Sequence, residues 1–214
     1  MSKKNNTLKD LLIWIIQTFI IFLIFLGLFF LITKFVISND QISGPSMQPT
    51  FENQDRIITY RHAKIKPGDI VVLKAPDEPG SLYIKRIIGM PGDTITAQDN
   101  KIYINGKTLN QNFLKPGFKL TDNGYSGMYK TKYSDTNDFS ISSLAKTSNY
   151  MQIYSKDQLQ QMQQTNEVPK NSYFVMGDHR SVSKDSRYIG AIPGNKIVGV
   201  VKLRYWPLNN ITAF

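Results

Sequence analysis

Three short stretches of this chain carry side chains able to do chemistry. The first, Ser43-Gly44-Pro45-Ser46-Met47-Gln48-Pro49-Thr50, sets a hydroxyl between Gly and Pro residues. Such flanks force a sharp, exposed turn, which can present Ser46 Oγ and free backbone N–H groups to a ligand. An ordinary surface loop reads the same way, and the Gly-x-Ser-x-Gly elbow is absent. The second, Tyr83-Ile84-Lys85-Arg86-Ile87-Ile88-Gly89-Met90-Pro91-Gly92-Asp93, holds Lys85 within an apolar strand. Alternation puts Lys85 on one face with Tyr83 and Ile87, opposite Ile84, Arg86 and Ile88. On a solvent face Lys85 is an ordinary surface cation. Buried, it loses charge readily from its usual pKa of ~10.4, and a neutral amine can take a proton from a serine hydroxyl. The third, Gly177-Asp178-His179-Arg180-Ser181-Val182-Ser183-Lys184-Asp185-Ser186-Arg187, is a dense polar loop. Its acids and arginines can form an ion-pair network, and its hydroxyls can orient a base.

Other chemistries find less support. The only histidines are His62 and His179. A Ser46–His179–Asp178 triad can be written, but neighbours at a strand end point apart, so Asp178 is a poor orienter for His179. With no cysteine, a disulfide scaffold, a thiolate metal site and a cysteine nucleophile are excluded. No His/Asp/Glu cluster has metal-ligand spacing, so neither metal nor cofactor is expected. The net charge of +10 suits an anionic membrane surface. Nucleic acid is not an expected partner, because no basic run with interleaved aromatics, helix-turn-helix or finger spacing is present.

The elements that must position these residues begin with a membrane segment. Between Asp10 and Lys34 there is no charge, and 11–32 reads LLIWIIQTFIIFLIFLGLFFLI. As a helix it is ~33 Å long, enough to cross a ~30 Å hydrocarbon core. It is too long for a removable signal peptide, and the first alanine is Ala63. Lys3, Lys4 and Lys9 precede it, which favours a cytoplasmic N-terminus. The expected organisation is a cytoplasmic 1–10, a transmembrane helix over 11–33 and an extracytoplasmic domain over 34–214. That domain reads as short strands over 56–60, 69–73, 83–88, 93–97, 173–176 and 197–206. Asn105-Gly106 between 101–104 and 107–109 predicts a type I′ hairpin. The polar stretch of about 110–170 is expected to be a partly mobile insertion. Within it, Ser155-x-x-Gln158 can cap a short helix through Gln164. The fold class is mainly β with one membrane helix, without βαβ alternation.

Taken together, the three stretches and Lys66-Pro67-Gly68-Asp69-Ile70-Val71-Val72 resemble the sequence boxes of the bacterial type I signal peptidases, in their single-span form. Order, spacing and anchor agree, from the anchor to about Gly190. The resemblance implies an antiparallel β-sheet domain and a Ser/Lys dyad, with Ser46 as nucleophile and Lys85 as neutral base. It implies that Ser183 hydrogen-bonds the lysine amine, and that Asp185 and Arg187 hold the loop. The Ser46 backbone N–H would meet the oxyanion. Gly44 stands where some relatives have a serine as second donor, so a backbone N–H or a water must substitute. His179 replaces a more usual asparagine, and Ser181-Val182 replaces common polar residues. The implied partners are signal peptides of secreted preproteins, cut after small residues, with Ile42, Met47, Tyr83 and Ile84 lining shallow apolar pockets.

Two other functions fit parts of the pattern. A LexA-like self-cleaving protease shares the dyad and fold, but calls for a helix-turn-helix where this chain has a membrane span. A catalytically inactive, membrane-tethered binding module needs none of Ser46, Lys85 and Ser183, all of which are present. Ser46 stands only nine positions after Ile37, so the intervening chain reaches ~30 Å at most and would keep the nucleophile near the bilayer.

Overall fold

The computed structural model describes residues 3–114 and 136–214. The chain divides into two compact units, Met1–Ser38 and Asn39–Phe214. In the first, helix α1 (Lys3–Leu31) runs into a π-helical turn, Ile32–Val36. The stretch Leu8–Val36 is long and apolar enough to cross a membrane. Its side chains are exposed all round, as expected of a helix whose apolar surface has no polar face.

The second unit is mainly antiparallel β. Its strands are β1 (Ile37–Gln41), which starts at the unit boundary, β2 (Arg56–Tyr60), β3 (Ile70–Lys74), β4 (Leu82–Gly89), β5 (Ile95–Gln98), β6 (Lys101–Ile104), β7 (Lys107–Thr108) and β8 (Phe139–Ser140). Three helices follow, α2 (Ile141–Leu144), α3 (Ser148–Ile153) and α4 (Lys156–Thr165). The chain ends with β9 (Ser172–Met176), α5 (Ser186–Ile189), β10 (Ile192–Pro193), β11 (Ile197–Trp206) and β12 (Thr212–Ala213). The larger sheet has the order β1-β2-β11-β3-β4-β9-β10, with β12 on β11. The smaller has the order β7-β6-β5-β8.

Strands β3 and β4 sit inside the larger sheet, and their composition explains it. Ile70, Val71, Val72 and Leu73 are all buried, so both faces of β3 are covered. Val71 lies opposite Lys85 in the β3–β4 register, which sets the lysine in the middle of an apolar pairing. One core cluster, with Ile42, Met47, Phe51, Ile57, Ile70, Val72, Ile84 and Val201, packs on one part of this sheet. A second gathers Val71, Leu73, Ile87, Val175 and Ile192. In the β6–β7 hairpin Asn105 and Gly106 both have positive φ (51° and 75°), as a type I′ turn requires.

The polar stretch differs from its expectation. Residues 115–135 lie outside the described residues, but 136–170 is folded rather than loose. Phe139, Ile141, Leu144, Tyr150, Leu159, Met162 and Val168 are buried against Ile95, Ile102 and Phe174 of the sheets. Their wide spacing among polar residues hides the core face when the stretch is judged by composition. Each helix is stopped and started by a cap: Ser140, Thr147 and Ser155 accept from backbone N–H groups, and Ser155 forms a capping box with Gln158.

Candidate active site

The turn carrying Ser46 is fixed by short-range backbone bonds. Gln48 N–H donates to Pro45 O, and Thr50 and Phe51 N–H groups donate to Met47 O. This winding turns Met47 inward, where it is 1% exposed and packs with Phe51 and Ile57. Met47 therefore belongs to the core and does not line the adjoining cavity. Ser46 stays half-buried, with its carbonyl accepting from His179 N–H at 3.1 Å.

Lys85 reaches this turn from mid-β4. Its Nζ lies 2.9 Å from Ser46 Oγ, and the residue is 3% exposed. Burial pushes its pKa down to about 8. Asp185 and Asp178 oppose that shift, and Arg187 adds to it. The amine also stands 5.4 Å from the centre of the Tyr83 ring. A cavity of about 120 Å³ opens beside the pair. Ile42, Tyr83 and Ile84 line it, together with Ile57, Val72 and Leu82. Those three were not singled out in the sequence, because strand neighbours across a sheet are known only once the pairing is known.

The loop after β9 is held by buried charge pairs. Arg187 Nε and Nη2 donate to the two oxygens of Asp185, both at 2.8 Å, and Nη2 also donates to Arg180 O at 2.6 Å. Burial alone would lower the Arg187 pKa; the Asp185 carboxylate outweighs it and holds the guanidinium above its ordinary value. Asp185 also accepts from Gly177 N–H at 3.0 Å. Asp178 pairs with Arg86 at 2.6 and 2.8 Å and accepts from Thr50 Oγ1 at 2.5 Å. The roles of Arg86 and Thr50 were not legible in sequence. A lone arginine on a strand gives no sign of which acid it will meet.

Two expectations change. Ser183 is buried, but its Oγ has no hydrogen-bond partner among the described residues, so the implied bond to the lysine amine is not formed. Backbone geometry explains this: Ser183 N–H is tied to His179 O, and its Oγ lies against Gly177. A Cβ on Gly177 would fall 2.2 Å from that Oγ and 2.4 Å from Ser46 O. The written triad is not assembled either. Asp178 is engaged by Arg86 and Thr50, while His179 Nδ1 lies 3.2 Å from Pro45 O. Burial lowers the His179 pKa. Gly44, at φ +85°, donates its N–H to Asn53 Oδ1 at 3.3 Å.

What this arrangement can do is clear from its parts. A neutral amine within hydrogen-bond reach of a hydroxyl can accept its proton, which is the arrangement nucleophilic catalysis requires. No group of three or more possible metal-binding acids, histidines or cysteines occurs among the described residues.

The family described as "Signal peptidase, peptidase S26" matches residues 14–206. Signal peptidase IB of Staphylococcus aureus is 32% identical over 205 residues, covering 94% of this chain and 92% of its own. Signal peptidase I of Streptococcus pneumoniae is 34% identical over 197 residues, covering 91% and 94%. A crystal structure of a signal peptidase I from Enterococcus faecalis matches with 29% identity and a TM-score of 0.46, over 64% of this chain and 97% of that one. A family match over nearly the whole chain, with relatives above 30% identity end to end, places this protein in the signal peptidase family, peptidase S26.

Proposed function

We propose that this chain is a membrane-anchored serine endopeptidase that removes signal peptides from exported preproteins. The observation that carries the reading is the 2.9 Å contact between Ser46 Oγ and the buried Lys85 Nζ. Neutral Lys85 accepts the Ser46 proton as Oγ attacks the scissile carbonyl. The tetrahedral oxyanion is met by the Ser46 backbone N–H. Lys85 then passes its proton to the leaving amine, which departs as the new N-terminus of the mature protein. An ester to Ser46 remains, with Lys85 neutral again. Lys85 next takes a proton from water, the hydroxide attacks the ester, and the proton returns to Ser46 Oγ as the signal peptide leaves.

Substrate choice follows from the small cavity. Walls formed by Ile42, Tyr83 and Ile84 leave room for small side chains before the cut, and a large one clashes. Asp185 and Arg187 act as positioning residues for the loop bearing Ser183. The apolar N-terminal helix anchors the protein, with its lysine-rich N-terminus cytoplasmic and the second unit outside, where signal peptides emerge.

The test is cleavage of a preprotein by the full chain in detergent. Ser46→Ala and Lys85→Ala are each expected to lower kcat by at least about a thousand-fold. If both variants process the preprotein at the normal rate, the dyad is wrong.

A further inference from the structure

A second, larger cavity, of about 600 Å³, is lined by Ser183. It is walled by α3 (Asn149, Gln152, Ile153), by the 181–184 loop and by Tyr188. We propose that this cavity receives the residues following the scissile bond, as an extended peptide belonging to the mature part of the preprotein. The inference rests on the signal-peptide-cleaving reading above and adds a recognition site to it.

Three observations point to this occupant. First, contacts link the two cavities close to the Ser46–Lys85 pair. Ser46 and Lys85 line the small one, whereas Ser183 lines the large one while packing at Gly177 against the Ser46 carbonyl. Tyr83 of the small cavity hydrogen-bonds Asp77 of the large one, and Asp77 is ion-paired with Lys184. These contacts make the large cavity a neighbouring surface for a chain whose small side chains sit in the first cavity. Second, the volumes differ as the two jobs require. About 120 Å³ suits small side chains near the cut, and about 600 Å³ suits several consecutive residues.

Third, the wall has peptide-binding chemistry. An extended peptide carries unpaired N–H and C=O groups at every residue and takes affinity from matching them. Asn149 and Gln152 offer amides, and the buried Ser181 hydroxyl has no hydrogen-bond partner among the described residues. Ile153 and Tyr188 are large apolar side chains left 47% and 46% exposed at the same wall. A site of this make-up favours an apolar or aromatic residue within the first few mature positions.

The experiment compares two peptides of identical signal sequence, one with a single residue after the cut and one with six including an aromatic. Wild-type full chain in detergent is expected to have a kcat/KM about ten-fold higher on the longer peptide, because remote contacts contribute to the transition state. Gln152→Trp and Ile153→Trp project from an exposed helix face into the cavity, and each should reduce that ratio towards one. Circular dichroism checks that both variants fold. Equal rates on the two peptides for wild type, or an undiminished ratio in both variants, would overturn the cavity assignment. Failure of wild type to cut either peptide would instead overturn the proposed function beneath it.

Discussion

At the scale of the residue, Lys85 sets both pH behaviour and stability. With its pKa pushed down to about 8, kcat/KM is expected to rise through about pH 8 and level off above it, where the amine is neutral. A profile that is flat from pH 6 to 10 would remove Lys85 as the base. The same shift bears on folding. The unfolded lysine titrates near 10.5, the folded one near 8, so between those values the unfolded state holds more protons and stability rises with pH. Below about pH 8 the whole cost of the buried ammonium is present. Lys85→Met is therefore expected to raise Tm by roughly 3 °C at pH 7 while abolishing activity, a stability–function trade seen by thermal melting beside a cleavage assay. Lys85 was readable as a candidate because a cation within an apolar strand is unusual. Its burial was not readable, since that depends on Val71 across the sheet and on the Ser46 turn.

At the scale of the element, Gly177 at the end of β9 is the joint that brings two segments together. Its missing Cβ leaves the space that Ser183 Oγ and the Ser46 carbonyl occupy. Gly177→Ala is expected to displace one of them by about an ångström and to lower kcat by about a hundred-fold. The measurement is kcat with circular dichroism as the folding control; unchanged kcat would show that the approach is not needed. The ion pair between Arg86 on β4 and Asp178 after β9 ties the same strands from the buried side. Arg86→Ala leaves Asp178 buried without its cation and is expected to destabilise by about 3–5 kcal/mol in chemical denaturation. Elements with strong local signals were legible: the Asn105-Gly106 hairpin and the Ser155-capped helix lie where their turn and cap residues put them. Helices α2 and α3 were missed, because each is one or two turns long and shows too few residues for a period to emerge. Strand β1 was missed for a related reason: Ser38, Asn39 and Asp40 are poor strand formers carried by pairing rather than propensity.

At the scale of the whole molecule, the two units make separable demands on the chain. The first carries the stretch Leu8–Val36, long and apolar enough to cross a membrane; the second holds the core clusters and the Ser46–Lys85 pair. Removing residues 1–36, which keeps β1, is expected to give a protein that stays in the supernatant after centrifugation with lipid vesicles. It should still melt cooperatively. Aggregation of that fragment under conditions where the full chain is monodisperse in detergent would show that the second unit does not fold alone. The anchor was the most legible part of the sequence, since an uncharged apolar run needs no partner to be recognised. The packing of 136–170 was the least legible, since its core residues are scattered through polar sequence and meet only through α2, α3 and α4.

With its pKa pushed down to about 8, Lys85, the proposed base, is expected to be mostly protonated in the resting protein at neutral pH. At pH 7 a group titrating near 8 is uncharged in only about a tenth of the molecules. A peptide that covers the half-buried Ser46 closes the remaining opening beside the already buried amine and favours loss of its proton. Occupancy and arming are then one equilibrium, and a well-fitting substrate recruits the reactive form as it binds. The kinetic signature is a pKa for kcat lower than that for kcat/KM. Between substrates, the proposed base is then expected to be mostly protonated at neutral pH, with the Ser46 hydroxyl unactivated.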